Sequence, residues 1–192
     1  MRHRSRSPIG AEAIDHPELF TRTVEGNPML TVEDYAKQTR EQRMERLART
    51  ADQLDAAIDG QRDAALARRP DAKNWAAKEV VCHLRDTEEV FGARIEQILA
   101  MDVDPKWGDS NADRMAEERQ YLRNDAGEAL AAFRQRRLET LQMFGKITGA
   151  AWEKGGIHPV RGRFTIDAIL SIMAWHDDNH LDQLTRALEG RV

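Results

Sequence analysis

Residues 169–188 read ILSIMAWHDDNHLDQLTRAL, and their spacing decides the fold. At about 100° per residue, with Met173 set at zero, Ile166, Ile169, His176, Asp177, His180, Leu184 and Ala187 fall within roughly 60° of one direction. The segment is an amphipathic helix with two imidazoles on its buried side, capped by Thr165 and running to Gly190. His176 and His180 are four residues apart, slightly more than one helical turn, so their rings leave one face and can grip the same ion.

The same period recurs upstream. Thr31 caps a first turn containing Glu33 and Asp34, and Tyr35, Leu47, Ala51, Leu54 and Ile58 continue a helix that ends before Pro70. Asn74 opens a second helix whose inward stripe, Val80, Leu84, Thr87, Phe91, Ile95 and Ile98, extends to about Met101. It carries His83 at the edge of that stripe. Asp125 and Glu128 form a capping box at the head of a third run, Leu130, Phe133, Leu138, Leu141 and Phe144, which stops near Gly149. Between these runs, DVDPKWGDS (102–110) is turn-rich, NADRMAEERQYL (111–122) suits a lead-in helix, and GGIHPVRGRF (155–164) reads as a loop or short hairpin. Four helices without a strand-rich region predict an all-α four-helix bundle over residues 31–190. Residues 1–30 mix Arg, Ser, Pro and Gly without a period and read as a flexible or surface-draped arm.

Composition narrows the function. A chain of 192 residues is long enough for one domain with one ample core. Lys plus Arg number 29 against 33 Asp plus Glu, a formal net charge of −4, which offers no general attraction to nucleic acid or to an anionic membrane. Arg2, Arg4 and Arg6 give the arm local positive charge, enough only for salt-sensitive, sequence-blind affinity. Cys82 has no intrachain partner, nothing resembles a signal peptide, and no stretch reaches the ~20 apolar residues of a membrane span; a cytoplasmic protein is expected.

The chemistry follows from the histidines. An unpartnered buried imidazole costs about 1–3 kcal/mol, and a cation satisfies one nitrogen of each ring. A single inward histidine is more often a hydrogen-bonded core residue than a ligand, and the plain alternative here is a polar core cluster. His83 on a separate helix strengthens the metal reading, because bundle interiors commonly host such sites. Three imidazoles suit zinc or nickel and leave a coordination position for water or substrate. Water there is acidified to a pKa of about 7, and a thiol is held as thiolate, so hydrolysis and thiol transfer are both open. Asp177 falls on the inner face, where it either orients a ligand or activates water, or salt-bridges an inward arginine. His158, Arg161 and Arg163 are placed to overhang a pocket mouth and to hold a substrate carboxylate, although loop arginines are usually just solvated. Glu79 and Asp86 read as solvated surface charges, Cys82 as packing, and Trp75, Trp152 and Trp175 as packing rather than ligand contacts.

The segments NWAAKEVVCHLRDTEEVF (74–91) and GRFTIDAILSIMAWHDDNHLDQL (162–184) resemble the DinB/YfiT-like family of metalloenzymes. That resemblance spans about residues 31–190 and implies an up-down-down-up bundle, often dimeric. It also implies a divalent metal held by His83, His176 and His180. Relatives include bacillithiol S-transferases and mycothiol-dependent isomerases, which implies a small-molecule substrate and, as one option, a low-molecular-weight thiol partner. Ala76 departs from the serine common after the tryptophan, and the basic arm is extra; neither touches the three histidines. The expectation is a cytoplasmic, homodimeric metalloenzyme activating a thiol or water against a small electrophile. The alternative is a non-catalytic metal- or ligand-binding bundle acting as a stress protein.

Overall fold

The computed structural model describes residues 23–24, 27–108 and 110–192. The expected arm falls mostly outside them; within it, β1 (Thr23–Val24) and β2 (Asn27–Pro28) pair antiparallel. Helices α1 (Val32–Ala36), α2 (Arg40–Ile58), α3 (Asp63–Leu66), α4 (Ala77–Ala100), α5 (Ala112–Glu118), α6 (Ala126–Phe144) and α7 (Ile166–Glu189) follow, with a hairpin of β3 (Gly155–His158) and β4 (Gly162–Thr165) before α7. No helix of the described residues is long and apolar enough to cross a membrane.

The first helix is not continuous to Pro70 as its periodicity predicts. Thr31 caps α1, with Asp34 returning the bond. Thr39 then starts a new helix: its hydroxyl accepts from the Gln42 amide (3.2 Å) while the Gln42 side chain accepts from the Thr39 amide (2.9 Å). A threonine that satisfies free amides in this way is worth more as a start than as an interior residue. The second helix starts at Ala77, later than Asn74, because Asp71 holds the amides of Lys73 and Asn74 in a turn (2.7 and 2.8 Å). Of the capping box expected at α6 only the Asp125 half is formed, its carboxylate accepting from the Glu128 amide, while the caps of α7 agree with their sequence: Thr165 accepts from the Ala168 amide, and Gly190 ends α7 with a left-handed φ of 70°.

Helices α2, α4, α6 and α7 form the bundle, and side-chain pairs set their directions. Arg43 reaches Asp167 and Ser171 while Thr50 reaches Asp177, so α2 and α7 run parallel. Arg137 meets Glu88, and Gly92 lies against Thr140, so α4 and α6 run parallel. Arg137 bonds the Leu47 carbonyl whereas Arg134 meets Asp52 and Asp55, which makes α2 and α6 antiparallel. His83 sits beside His180, and Phe91 beside His176, which makes α4 and α7 antiparallel. The order is up-down-down-up, with α2 diagonal to α4 and α6 diagonal to α7. Because α4 and α6 are parallel neighbours, residues 101–125 must return along the bundle, and they carry α5 on the way.

The core is not the single apolar unit that chain length suggests. One cluster gathers Leu54, Val80, Leu84, Leu130, Phe133 and Leu184, and another gathers Leu47, Ile95, Phe144, Ile169, Leu170 and Met173. Between them lies a polar belt containing Thr50, His83, Glu88, Arg137, Thr140, His176 and Asp177, all buried. Each large aliphatic side chain in the two halves contributes about 1.5–3 kcal/mol by leaving water. The belt needs internal partners instead. Leu138, expected to face the core, is 52% exposed, since Arg137 occupies the inward position of α6.

Candidate metal centre

The antiparallel contact of α4 with α7 turns a one-turn histidine pair into a three-residue cluster. The ring centroids of His176 and His180 are 4.3 Å apart, and His83 on α4 lies 4.5 Å from His180 and 5.1 Å from His176. One ligand atom from each falls within 4.8 Å of the others. His83 and His176 are buried and His180 is partly so. Burial, and next the imidazole of His180, hold His83 well below the ordinary histidine pKa. The same two causes lower His176, with His83 and Arg137 adding to them. Both rings are therefore neutral near pH 7 and offer lone pairs.

The donor set fits a cation. Nε2 of His83 and Nε2 of His176 are 3.1 Å apart, close to the ~3.3 Å edge of a tetrahedral zinc site with ordinary Zn–N bonds. Nδ1 of His180 donates to Oε1 of Gln183 at 2.7 Å, which leaves the lone pair on its Nε2. The Thr87 hydroxyl lies across the His83 ring, 3.4 Å from Nδ1 and 3.3 Å from Nε2. The Trp75 ring stands 5.0 Å from that of His83, and Phe91 meets His176 edge-on at 6.1 Å.

The three histidines line one side of a cavity of about 420 Å³, within the size range of small-molecule sites. Its roof comes from outside the four long helices. Residues 102–108 cross to the hairpin, where the Ile157 amide donates to the Pro105 carbonyl (2.8 Å) and the Trp107 amide donates to the Ile157 carbonyl (3.0 Å). Trp107 packs on Gly156, donates from its indole to Gln97 (3.1 Å), and receives the Arg94 guanidinium at 4.9 Å.

Residues 46–184 match the family model of the DinB superfamily. The chain belongs to the DinB superfamily. Among solved structures it is similar to YfiT from Bacillus subtilis, described as "a probable metal-dependent hydrolase with an unusual four-helix bundle topology". The two superpose with a TM-score of 0.73 at 19% identity, covering 79% of this chain and 86% of that one. No curated protein matches the sequence significantly. The DinB bundle of this chain thus has the YfiT fold, with all three histidines inside the matched residues.

Other residues singled out by sequence are distributed unequally around this DinB site. His158 and Arg161 line the cavity. Arg163 does not: it lies in β4, where alternate residues face opposite ways, so Phe164 takes the cavity side while Arg163 pairs with Asp104 (2.6 Å) and the Glu153 carbonyl (3.0 Å). Asp177 is 1% exposed but absent from the cavity wall. Its carboxylate receives both terminal nitrogens of Arg137 and the Thr50 hydroxyl, which is the ion pair weighed for it rather than the base or ligand-orienting position. Glu79 and Asp86 are buried, not solvated: Glu79 accepts from Arg69 and from the Ala76 amide, and Asp86 pairs with Arg85 and Arg119. Cys82 packs away from the site, its Sγ 3.8 Å from the Tyr121 carbonyl. Trp152 packs on Phe144 as expected, whereas Trp75 and Trp175 line the cavity.

Sequence reasoning missed Gln183, Arg94, Trp107 and the Arg137–Glu88 pair. Gln183 carried a signal, because it stands three residues after His180 on the same helical face. Trp107 carried none, since it sits in a turn whose course depends on the hairpin it crosses.

Proposed function

We propose that this DinB-superfamily chain is a divalent-metal-dependent enzyme, a hydrolase in its leading form, with His83, His176 and His180 as the metal ligands and zinc or nickel as the metal. The observation that carries this reading is the convergence of three imidazoles, two of them buried and held neutral, on one wall of a small-molecule cavity. When bound, the ion supplies Lewis acidity that makes water or a low-molecular-weight thiol nucleophilic near neutral pH. Gln183 keeps His180 in the ligating tautomer. Arg137 and Thr50, by holding Asp177, fix the rotation of α7 that aims the neighbouring His176. Trp75 and Phe91 cover the histidines with apolar surface and keep bulk water off the reacting face. The likeness to YfiT supports the water form over the thiol form.

The test starts with metal analysis of purified protein. Chelated protein is then assayed on panels of small esters and amides, and on thiol conjugation to small electrophiles, before and after zinc or nickel is restored. About one ion per chain, with turnover lost on chelation, regained on reloading and absent from His176→Ala, is the expected result. Wild-type protein that takes up no divalent metal would overturn the reading. Turnover confined to the thiol panel would move the chemistry from hydrolysis to thiol transfer. A bound ion without turnover in either panel would leave the histidines a structural centre.

A further inference from the structure

Three hydroxyls within the long helices are spent on their own backbone. Thr140 donates to the Arg136 carbonyl (3.1 Å), Ser171 to that of Asp167 (3.2 Å) and Thr185 to that of Leu181 (2.9 Å). Thr87 on α4 is turned elsewhere. Its oxygen stands nearly equidistant from the two ring nitrogens of His83, at 3.4 and 3.3 Å, so it lies over the ring face. An imidazole donates and accepts in its own plane, and the Thr87 proton is therefore not used by the ring. It meets no other acceptor among the described residues, and Thr87 lines the cavity.

Asn179 on α7 has the complementary character. Its Nδ2 donates to the Trp175 carbonyl at 2.8 Å, and because a carbonyl only accepts, this bond fixes which way round the amide sits. Oδ1 is turned away from that bond, and no described residue donates to it. Asn179 lines the same cavity. The donor thus stands one turn from His83 on one wall, and the acceptor about one turn from His176 on the other. Phe91, Trp107, Phe164 and Ile172 supply apolar and aromatic wall around them.

We infer that the cavity takes a small secondary amide with an aromatic or apolar substituent: the Thr87 hydroxyl donates to its carbonyl oxygen, and Oδ1 of Asn179 accepts from its N–H. A trans amide presents these two groups on opposite sides of one plane, which suits a donor and an acceptor on opposite walls. The aromatic surface takes the substituent. An ester has the carbonyl oxygen but lacks the N–H, and it would set its own oxygen against Oδ1, leaving that acceptor unpaired. The reaction itself rests on the hydrolase form of the metal-centre reading. Water supplies the hydroxyl that forms the new C–O bond and the proton that leaves with the amine as the C–N bond breaks, giving a carboxylic acid and a primary amine. The Thr87 bond strengthens as the carbonyl oxygen gains negative charge on the way.

The test compares acetanilide with phenyl acetate, which differ only in N–H against O, by calorimetric titration into chelated protein, where neither turns over. Acetanilide is expected to bind wild type roughly three- to tenfold tighter. Asn179→Leu should bring the two ligands within about twofold of each other. Thr87→Val should weaken both by roughly three- to tenfold, because both carry the carbonyl, and Thr87→Ser should restore them. Zinc uptake by Thr87→Val should equal that of wild type. Circular dichroism checks that the variants fold, and the wild-type comparison stands without them. Binding of the ester as tight as that of the amide, no binding of either, or a preference that survives Asn179→Leu would overturn the assignment. So would unchanged binding in Thr87→Val, or its loss of zinc, which would make the threonine a support for His83. Amide preference in a wild-type protein that takes up no metal would leave the recognition standing and sink only the metal-centre reading. Metal-dependent ester turnover without amide preference would do the reverse.

Discussion

Nε2 of His83 faces Nε2 of His176 across 3.1 Å, on two helices that run in opposite directions. Without an ion, two neutral imidazoles in that position can share one N–H···N hydrogen bond, which replaces one Nε2 lone pair by a proton and spends the other on accepting it. A cation uses both. Metal is therefore expected to stabilise the fold as well as the reaction.

At a free zinc concentration about 100 times Kd, linkage gives about 2.7 kcal/mol, or a rise in Tm of roughly 5–10 °C for a chain of this size. His83→Leu is expected to remove that rise while melting no lower than wild type when both are chelated, because it also removes an awkward buried ring. Differential scanning calorimetry with and without chelator measures both. A zinc shift that persists in His83→Leu would place the ion elsewhere.

The polar belt makes a second, larger demand on Arg137. It is 3% exposed and neutralises two buried carboxylates at once, Glu88 at 2.8 Å and Asp177. Truncating one partner of a buried ion pair costs about 3–5 kcal/mol, because the orphaned charge stays inside. Arg137→Met is expected to cost at least that much in urea denaturation. Arg134→Met, which breaks exposed pairs with Asp52 and Asp55 one turn away, should cost under about 1 kcal/mol. Adding Glu88→Gln and Asp177→Asn to Arg137→Met should recover part of the loss, since no unpaired charge then remains.

Trp107 and Gly156 form the joint that holds the cavity roof. A Cβ built on Gly156 would stand 2.1 Å from Cζ2 of Trp107, so Gly156→Ala must push the indole off the hairpin. Overpacking of this kind costs about 1–3 kcal/mol. Faster proteolysis within residues 102–108 is expected alongside the lower melting temperature. In a double-mutant cycle, Gly156→Ala should cost little once Trp107→Ala has removed the clashing ring; additive losses would show that the glycine is needed for another reason.

What could be read from sequence was whatever helical period encodes. The inward face of α7 and the stripe of α4 place His83, His176 and His180 correctly, because burial at three- and four-residue steps is a property of one helix at a time. The break at Thr39 was legible in kind, as a capping signature, but was overridden by the longer apolar repeat around it. The polar belt was not legible. Whether Asp177 faces water, metal or Arg137 depends on which residue of α6 comes opposite, and that is decided by the register of two helices forty residues apart. Arg163 was misplaced for a local reason: strand alternation in a four-residue strand is too short to fix its phase without knowing where the turn begins.

Cys82, next to His83 on α4, tests the packing of that helix, read on chelated protein because a bound ion would itself slow opening. Burial pushes its thiol from an ordinary 9.0 up to about 11, and the side chain is fully covered. At pH 8 about a thousandth of the native thiol is ionised, so a disulfide reagent should label it only as fast as the protein opens, while urea-unfolded protein reacts at once. The stability consequence has a definite sign. The unfolded chain releases this proton near pH 9 and the native chain holds it until about pH 11, so the native state binds more protons in that window and folding weakens as pH rises through it. Tyr121, also raised by burial and then by Asp86, adds to the slope once pH exceeds its ordinary value of 10.0. Urea midpoints of wild type and Cys82→Ala between pH 8 and 10 separate the two: the variant should lose the part of the slope that begins near pH 9. Rapid labelling of the folded protein at pH 8 would mean that α4 leaves its place between α6 and α7 far more often than its buried face allows.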